Sequence, residues 1–363
     1  VVRSGRYRHR VLLTIGLLVS ALRNWRIVRK LLRASAPDVV VVGSDLGNLN
    51  IRFLMDACRS CGIPVVILYN CDLPKANSGS RRRFLPLWKD MSVLRSSVLS
   101  LLRAVLFGGT TPGEYASDSI VCVPSQDICE ELVARGIDRN RIVVTGLPSP
   151  SPSPSVDGSA REVCGRLGIE QDRRLVVLFT ECIQNIYGME YAKDVYERLA
   201  DAVRTLPNDV LFLVKLHPIE SGEIESLLRR IFHGSCSRTR IIAGEFAAET
   251  LVGVAALCVA HFSRVLITAA QMGRRFLSIN LMRDRDRTFI SSDESGVLEI
   301  DALDDLGGKI RSAIEDVAFK DQIDRLISSI AGRFSDPDCC EKMASVILGN
   351  SRSVATGYHS HNS

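Results

Sequence analysis

Short, uniformly apolar runs alternate along most of the chain with stretches whose apolar positions recur every three or four residues. Val39 to Val42, Pro64 to Tyr69, Ser119 to Val123, Arg141 to Thr145 and Leu175 to Phe179 are five such runs. Val210 to Val214, Thr239 to Ala243, Leu257 to Ala260 and Phe276 to Asn280 are four more. Runs this apolar read as strands covered on both faces, the mark of a parallel sheet. Helical spacing fills the gaps over 49–61, 126–135, 159–167, 189–205, 222–233, 245–254 and 264–272, with further helices near 303–317 and 320–332. Such alternation predicts an α/β protein.

The alternating Ser-Pro run from Ser149 to Ser155 breaks this pattern. Proline-rich segments stay extended and act as semi-rigid linkers. The expected organisation is an N-terminal Rossmann-like domain over 1–148, a linker over 149–158, a C-terminal Rossmann-like domain over 159–349 and a polar, disordered tail over 350–363. Two such domains would face a cleft. The sequence does not begin with Met, and its first strand already reads as a mid-domain strand, so an incomplete N-terminal domain is expected.

Composition adds limits. At 363 residues, with 46% hydrophobic and 24% charged, the chain is long enough for about two ordinary globular domains. Its eleven cysteines are odd in number and scattered, often within apolar strands, which suits reduced thiols in a cytoplasmic protein. Cys58 and Cys61 form a lone CxxC without a second pair, better read as helix packing than as a zinc or redox site.

The net charge of +5 is unevenly spread: through Gly113 there are 18 Lys and Arg against 5 Asp and Glu, leaving 28 against 36 for the rest. Residues 1–37 alone carry nine cations and no acid around the apolar run Val11 to Leu22. That run is shorter than the roughly 20 apolar residues that span a bilayer. An amphipathic helix is expected there, either packed on the sheet with a solvated basic face or resting on anionic lipid. Residues 73–113 repeat the theme, with Arg81-Arg82-Arg83 beside Phe84 and Trp88 and an apolar helix over Val93 to Phe107. Cations among aromatics also suit nucleic acid, but the apolar continuation favours a membrane or lipid-linked partner over it. Peripheral attachment to the inner face of a membrane follows as the expectation.

The candidate chemistry gathers at strand ends, where open α/β sheets bind ligands. After Val210 to Val214 come Lys215, His217, Pro218 and Glu220; Pro218 ends the ladder and holds His217 extended. An ammonium and an imidazole at that edge suit an anion such as a nucleotide phosphate, although a lone His after a strand is often only a loop residue. The loop after Phe179, carrying Thr180 and Gln184, is polar and leads to a helix start, which suits a phosphate or ribose contact. It has no G-x-G-x-x-G series, so no dinucleotide cofactor is indicated. Ser263 and Arg264 open a helix whose amino terminus offers a second phosphate site. In Gly43-Ser44-Asp45-Leu46-Gly47, Asp45 stands at its strand's carboxyl edge, and reads equally as a general base or as a helix cap.

Lys215-Leu216-His217-Pro218-Ile219-Glu220, followed one βα unit later by Ser263 to Gly273, resembles the second domain of GT-B glycosyltransferases. The nearest in kind are bacterial capsule, polysialic-acid and teichoic-acid (CDP-glycerol type) transferases, with UDP-N-acetylglucosamine 2-epimerases as structural cousins. The resemblance implies transfer of a sugar or polyol-phosphate from a nucleotide-activated donor to a cell-surface polysaccharide or lipid-linked acceptor, with Lys215 and His217 near the donor phosphates, His217 also serving the departing phosphate catalytically, and Ser263 and Arg264 completing the cradle. It also implies metal-independent, inverting transfer with no cofactor beyond the nucleotide-sugar substrate, and a base from the first domain. Thr268 stands where related transferases often carry a Glu that contacts the donor, which leaves donor identity and activity open. A 2-epimerase and a non-catalytic binding module of the same fold are the alternatives.

Overall fold

A computed structural model describes residues 26–43, 49–69, 119–134, 136–148, 156–168, 170, 173–220, 222–233, 238–261, 263–282 and 289–351. They divide into two compact units. The first is built on a four-stranded parallel sheet in the order β1 (Val40–Val42), β2 (Val65–Leu68), β3 (Ile120–Val123) and β4 (Ile142–Val144). Val66, Ile67, Val121 and Cys122 are completely buried, as strands covered on both sides must be. The helix Leu49–Ser60 crosses from β1 to β2 and sets Ala57 and Cys58 into the core.

The second unit holds a six-stranded parallel sheet in the order β10-β9-β8-β5-β6-β7. Its strands are β5 (Arg174–Phe179), β6 (Val210–Lys215), β7 (Thr239–Ile242), β8 (Leu257–Ala260), β9 (Phe276–Ile279) and β10 (Glu299–Ile300). All six residues of β6 are buried, because two helical layers enclose it. One layer joins Met189–Thr205 to Gly222–Phe232 and Leu306–Glu315; the other joins Ala248–Val254 to Val156–Leu167 and Arg264–Gln271, and the last of these to Val317–Phe334. Gly307 allows the first layer to close, since a Cβ there would lie 3.2 Å from that of Ala202. Each fully buried Leu, Val or Phe contributes roughly 1.5–3 kcal/mol, so this core is the main source of the unit's stability.

The chain runs outward from β5 through β6 to β7, then returns to β8 on the other side of β5. The strand order therefore reverses between β5 and β8, and the crevice outside their carboxyl ends is where such sheets take ligands.

Two parts of the expected domain layout change. Leu147 belongs to the second unit: its N–H donates to the Phe334 carbonyl over 2.7 Å, and it is buried against Ser335. The helix Cys339–Gly349, expected within a 159–349 domain, instead joins the first unit, lying against β2 with Cys339 near Cys122. Burial and then that neighbour push the Cys122 thiol up to about 11. Asn350, assigned to the tail, closes this helix with its side-chain amide on the Val346 carbonyl at 2.7 Å.

In the basic leading segment, residues 26–35 are helical. Leu32 is buried, while Arg26, Lys30 and Arg33 are exposed beside exposed Ile27 and Leu31. Residues 1–25, the Arg81–Arg83 segment, the Ser-Pro linker run over 149–155 and 352–363 of the tail lie outside the described residues. Among the described residues, no helix is long and apolar enough to cross a membrane.

Candidate functional site

β6 pairs with β5 so that Phe179 stands beside Lys215, and this register sets the two strand exits next to each other. The exits are then tied. The Thr180 N–H donates to the Lys215 carbonyl over 3.0 Å, and the His217 N–H donates to the Thr180 hydroxyl over 2.9 Å. Thr180 is buried, and its hydroxyl fixes the backbone of His217.

His217 and Pro218 are exposed. The His217 Nδ1 accepts the backbone N–H of Ile219 over 3.3 Å, which puts the proton of the neutral ring on Nε2. Among the described residues no protein group bonds Nε2. Nε2 is the ring nitrogen left for a ligand at the carboxyl end of β6. Lys215 is nearly buried in the strand, and its ammonium has its pKa lowered by burial, opposed by the charge of Glu245 on the loop after β7.

Glu220 turns back beneath the ring, its N–H donating to the His217 carbonyl over 2.9 Å. Its Oε2 accepts from Gln184 Nε2 over 3.4 Å, which brings together two site residues expected from separate loops. Gln184 rides on the short helix Ile183–Tyr187, which the sequence reading leaves inside a loop. The residue before that helix, Cys182, adopts the left-handed conformation at φ 51° and sets its sulfur 3.9 Å from His217 Nδ1. Burial, then a hydrogen bond to Glu220 and the charges of Glu220 and Glu181, push the Cys182 thiol up to about 12. At neutral pH it therefore keeps its proton.

Across the switch point the arrangement differs. Ser263 caps the helix Arg264–Gln271, its hydroxyl oxygen accepting the Val265 N–H over 3.3 Å. Arg264 is exposed and Thr268 half-buried on that helix. Among the described residues no hydrogen bond joins Ser263, Arg264 or Thr268 to the His217 group. What bridges the two loops is aromatic: Tyr187 and Tyr191 have ring centroids 4.9 Å apart, and Tyr191 meets His261, at the end of β8, edge-on at 6.3 Å. Complete burial drives the His261 pKa down to about 3, so that ring is neutral. The Tyr191 phenol is pushed up to about 12, again by burial. Sequence reasoning passed over Tyr191, Tyr196, Cys182 and His261, because tyrosines at helical spacing and a His ending an apolar strand look like core.

Asp45 lies outside the described residues, so its role as a base rests on the sequence alone. Among the described residues no group of His, Cys, Asp and Glu is placed to hold a metal ion.

No family model matches the sequence, and no curated protein matches it. Solved structures do. A protein from Listeria monocytogenes assigned as a UDP-N-acetylglucosamine 2-epimerase is similar with a TM-score of 0.62 at 16% identity, over 93% of this chain and 80% of that one. A glycosyltransferase from Rickettsia africae gives 0.55 at 12% identity, over 91% and 82%. The wall teichoic acid polymerase TagF, solved with CDPG, gives 0.52 at 11% identity, over 79% and 67%. Together with the two parallel sheets, these likenesses give the chain the GT-B fold of two Rossmann-like domains, which glycosyltransferases and UDP-N-acetylglucosamine 2-epimerases share.

Proposed function

We propose that the second unit binds a nucleotide-activated sugar at the carboxyl ends of β5, β6 and β8, and that the protein transfers the activated group to a glycan or lipid-linked acceptor. The observation that carries this reading is His217: exposed at the carboxyl end of β6, with Nδ1 held by Ile219 and Nε2 bonded by no protein group among the described residues. A donor fixed in that place suits a phosphate oxygen, and its hydrogen bond strengthens as charge builds on the leaving nucleotide. Lys215 adds positive potential, and the exposed Arg264 at a helix amino terminus adds more on the β8 side.

In the step proposed, the acceptor oxygen bonds to the anomeric carbon as that carbon's bond to the phosphate oxygen breaks. The acceptor proton passes to a carboxylate, assigned to Asp45 from the sequence, and the electron pair leaves with the nucleotide. The exposed cations Arg26, Lys30 and Arg33, next to exposed Ile27 and Leu31, favour an anionic membrane surface as the place where a lipid-linked acceptor is met.

A 2-epimerase is the second reading, favoured by the likeness to the Listeria protein. It needs no acceptor. Incubation with UDP- and CDP-activated donors separates the two: nucleotide released only when acceptor is present supports transfer, and isomerised donor without acceptor supports epimerisation. Nucleotide binding with neither product leaves a binding module, and the enzymatic proposal is then wrong.

A further inference from the structure

Among the described residues, two that are not glycine have positive φ: Ala36 at 41° and Cys182 at 51°. Ala36 closes the helix over 26–35, its N–H donating to the Leu32 carbonyl, and a left-handed residue is ordinary at a helix end. Cys182 has no such reason. It stands before the helix Ile183–Tyr187, where a capping residue usually has extended backbone and a side chain that accepts a hydrogen bond, and it has neither. Glycine takes a left-handed conformation freely, whereas a side chain there stores strain that persists only when the surroundings over-determine it. The reason for Cys182 therefore lies in what its side chain touches.

Cys182 is buried, and its sulfur lies 3.9 Å from His217 Nδ1, at the edge of the ring. Its thiol donates to the Glu220 carboxylate, which also accepts from Gln184 Nε2 over 3.4 Å. The Glu220 N–H in turn holds the His217 carbonyl. One small side chain thus meets both the ring and the residue that anchors the turn carrying it. The rest of that turn gives the ring little support. His217 and Pro218 are exposed, and Ile219, whose N–H reaches Nδ1 over a long 3.3 Å, is itself 75% exposed. An imidazole on one such bond swings widely, because the torsion that turns the ring has broad wells. Sulfur against its buried edge narrows that swing, and contacts of sulfur with a ring edge are favourable. We propose that Cys182 is a positioning residue that holds the His217 ring in the orientation that offers Nε2 to a ligand. This rests on the reading of His217 as the phosphate contact, and adds to it a residue that acts on the ligand only through the ring.

Carbon-13 relaxation of the His217 ring, measured on the full chain without nucleotide, reads the orientation directly. Wild type should give an order parameter of about 0.85, and Cys182→Ala and Cys182→Gly values below about 0.6. Cys182→Ser keeps a donor for Glu220 and an atom beside Nδ1, so its ring should stay as ordered as in wild type. Glycine takes φ 51° without strain, so Cys182→Gly should melt no lower than Cys182→Ala, which separates a loosened ring from a weakened fold. With a donor that wild type turns over, the Ala and Gly variants should lose roughly tenfold in kcat while KM changes by less than about twofold, as loss of orientation predicts. Equal ring order in wild type, Cys182→Ala and Cys182→Gly overturns the proposal. So does a Cys182→Ser ring as mobile as that of Cys182→Ala, or a loosened ring with kcat unchanged. If wild type turns over no donor, the transfer reading fails by itself, and ring order still decides whether Cys182 positions His217.

Discussion

β6 and β8 are strands of one sheet that end in the same kinds of polar residue, and the fold uses them in opposite ways. At the end of β8, His261 is buried to 2% exposure against Tyr191, and the Ser263 hydroxyl caps the next helix. At the end of β6, His217 remains exposed, with Nδ1 held by the Ile219 N–H and Nε2 bonded by no protein group among the described residues. Both histidines follow apolar runs, so sequence pattern hardly separates them. A polar residue at a strand end becomes a candidate for chemistry when the fold leaves its side chain accessible to a ligand.

His217→Ala sharpens the contrast most. Removing a donor aimed at developing charge lowers turnover by roughly 10²–10³-fold, whereas loss of an exposed ring changes stability by no more than about 0.5 kcal/mol. Steady-state rates with the matching donor, and denaturant unfolding of the same variant, check both halves. A large stability loss with little loss of rate would reverse the assignment.

His261 behaves the other way, through pH. Above about pH 6.5 its ring is neutral in folded and unfolded chains alike. Below that, the unfolded chain takes a proton that the folded one refuses until about pH 3, so stability falls as pH falls across the window. The slope approaches about 1.4 kcal/mol per pH unit from this group. Unfolding of wild type and His261→Gln at pH 7, 6, 5 and 4 isolates it, since the variant must lose less stability on acidification. Equal slopes would mean that His261 is protonated in the fold.

Ser263→Ala carries the smallest effect. Losing this N-cap costs about 1 kcal/mol, and Ser263→Asn restores most of it. Nucleotide affinity should drop by less than about fivefold; a drop comparable with that of His217→Ala would move the phosphate site to the β8 side.

Much of the scaffold was legible. Apolar runs located every strand from β1 to β9 within a residue or two at each end, because full burial on both faces leaves an unbroken hydrophobic signature. The helix Ser292–Leu298 was missed although Ser291 and Glu294 spell the capping box that the structure forms. Sequence pattern assigns the helix Cys339–Gly349 to the second domain, since nothing local records that its cysteine packs beside Cys122. Of the candidate site, His217 and Glu220 stood out through their proline and spacing. That the Thr180 hydroxyl also fixes the His217 backbone is set by the register of β5 on β6, which no local pattern records. Cys182 could not be seen as a polar partner of Glu220, because the pattern of apolar positions marks which side faces the core but not which polar atoms meet there.

The most direct measurement is the melting temperature of wild type and His217→Ala with CMP, CDP, UDP and GDP, since a ligand that binds only the folded chain raises it by linkage. Wild type should melt higher with one of these nucleotides, by at least about 2.7 kcal/mol of stabilisation at a hundredfold excess over Kd, and the variant should lose that rise. Folded wild type that responds to none of the four, or a rise that His217→Ala keeps in full, would contradict a phosphate site at His217.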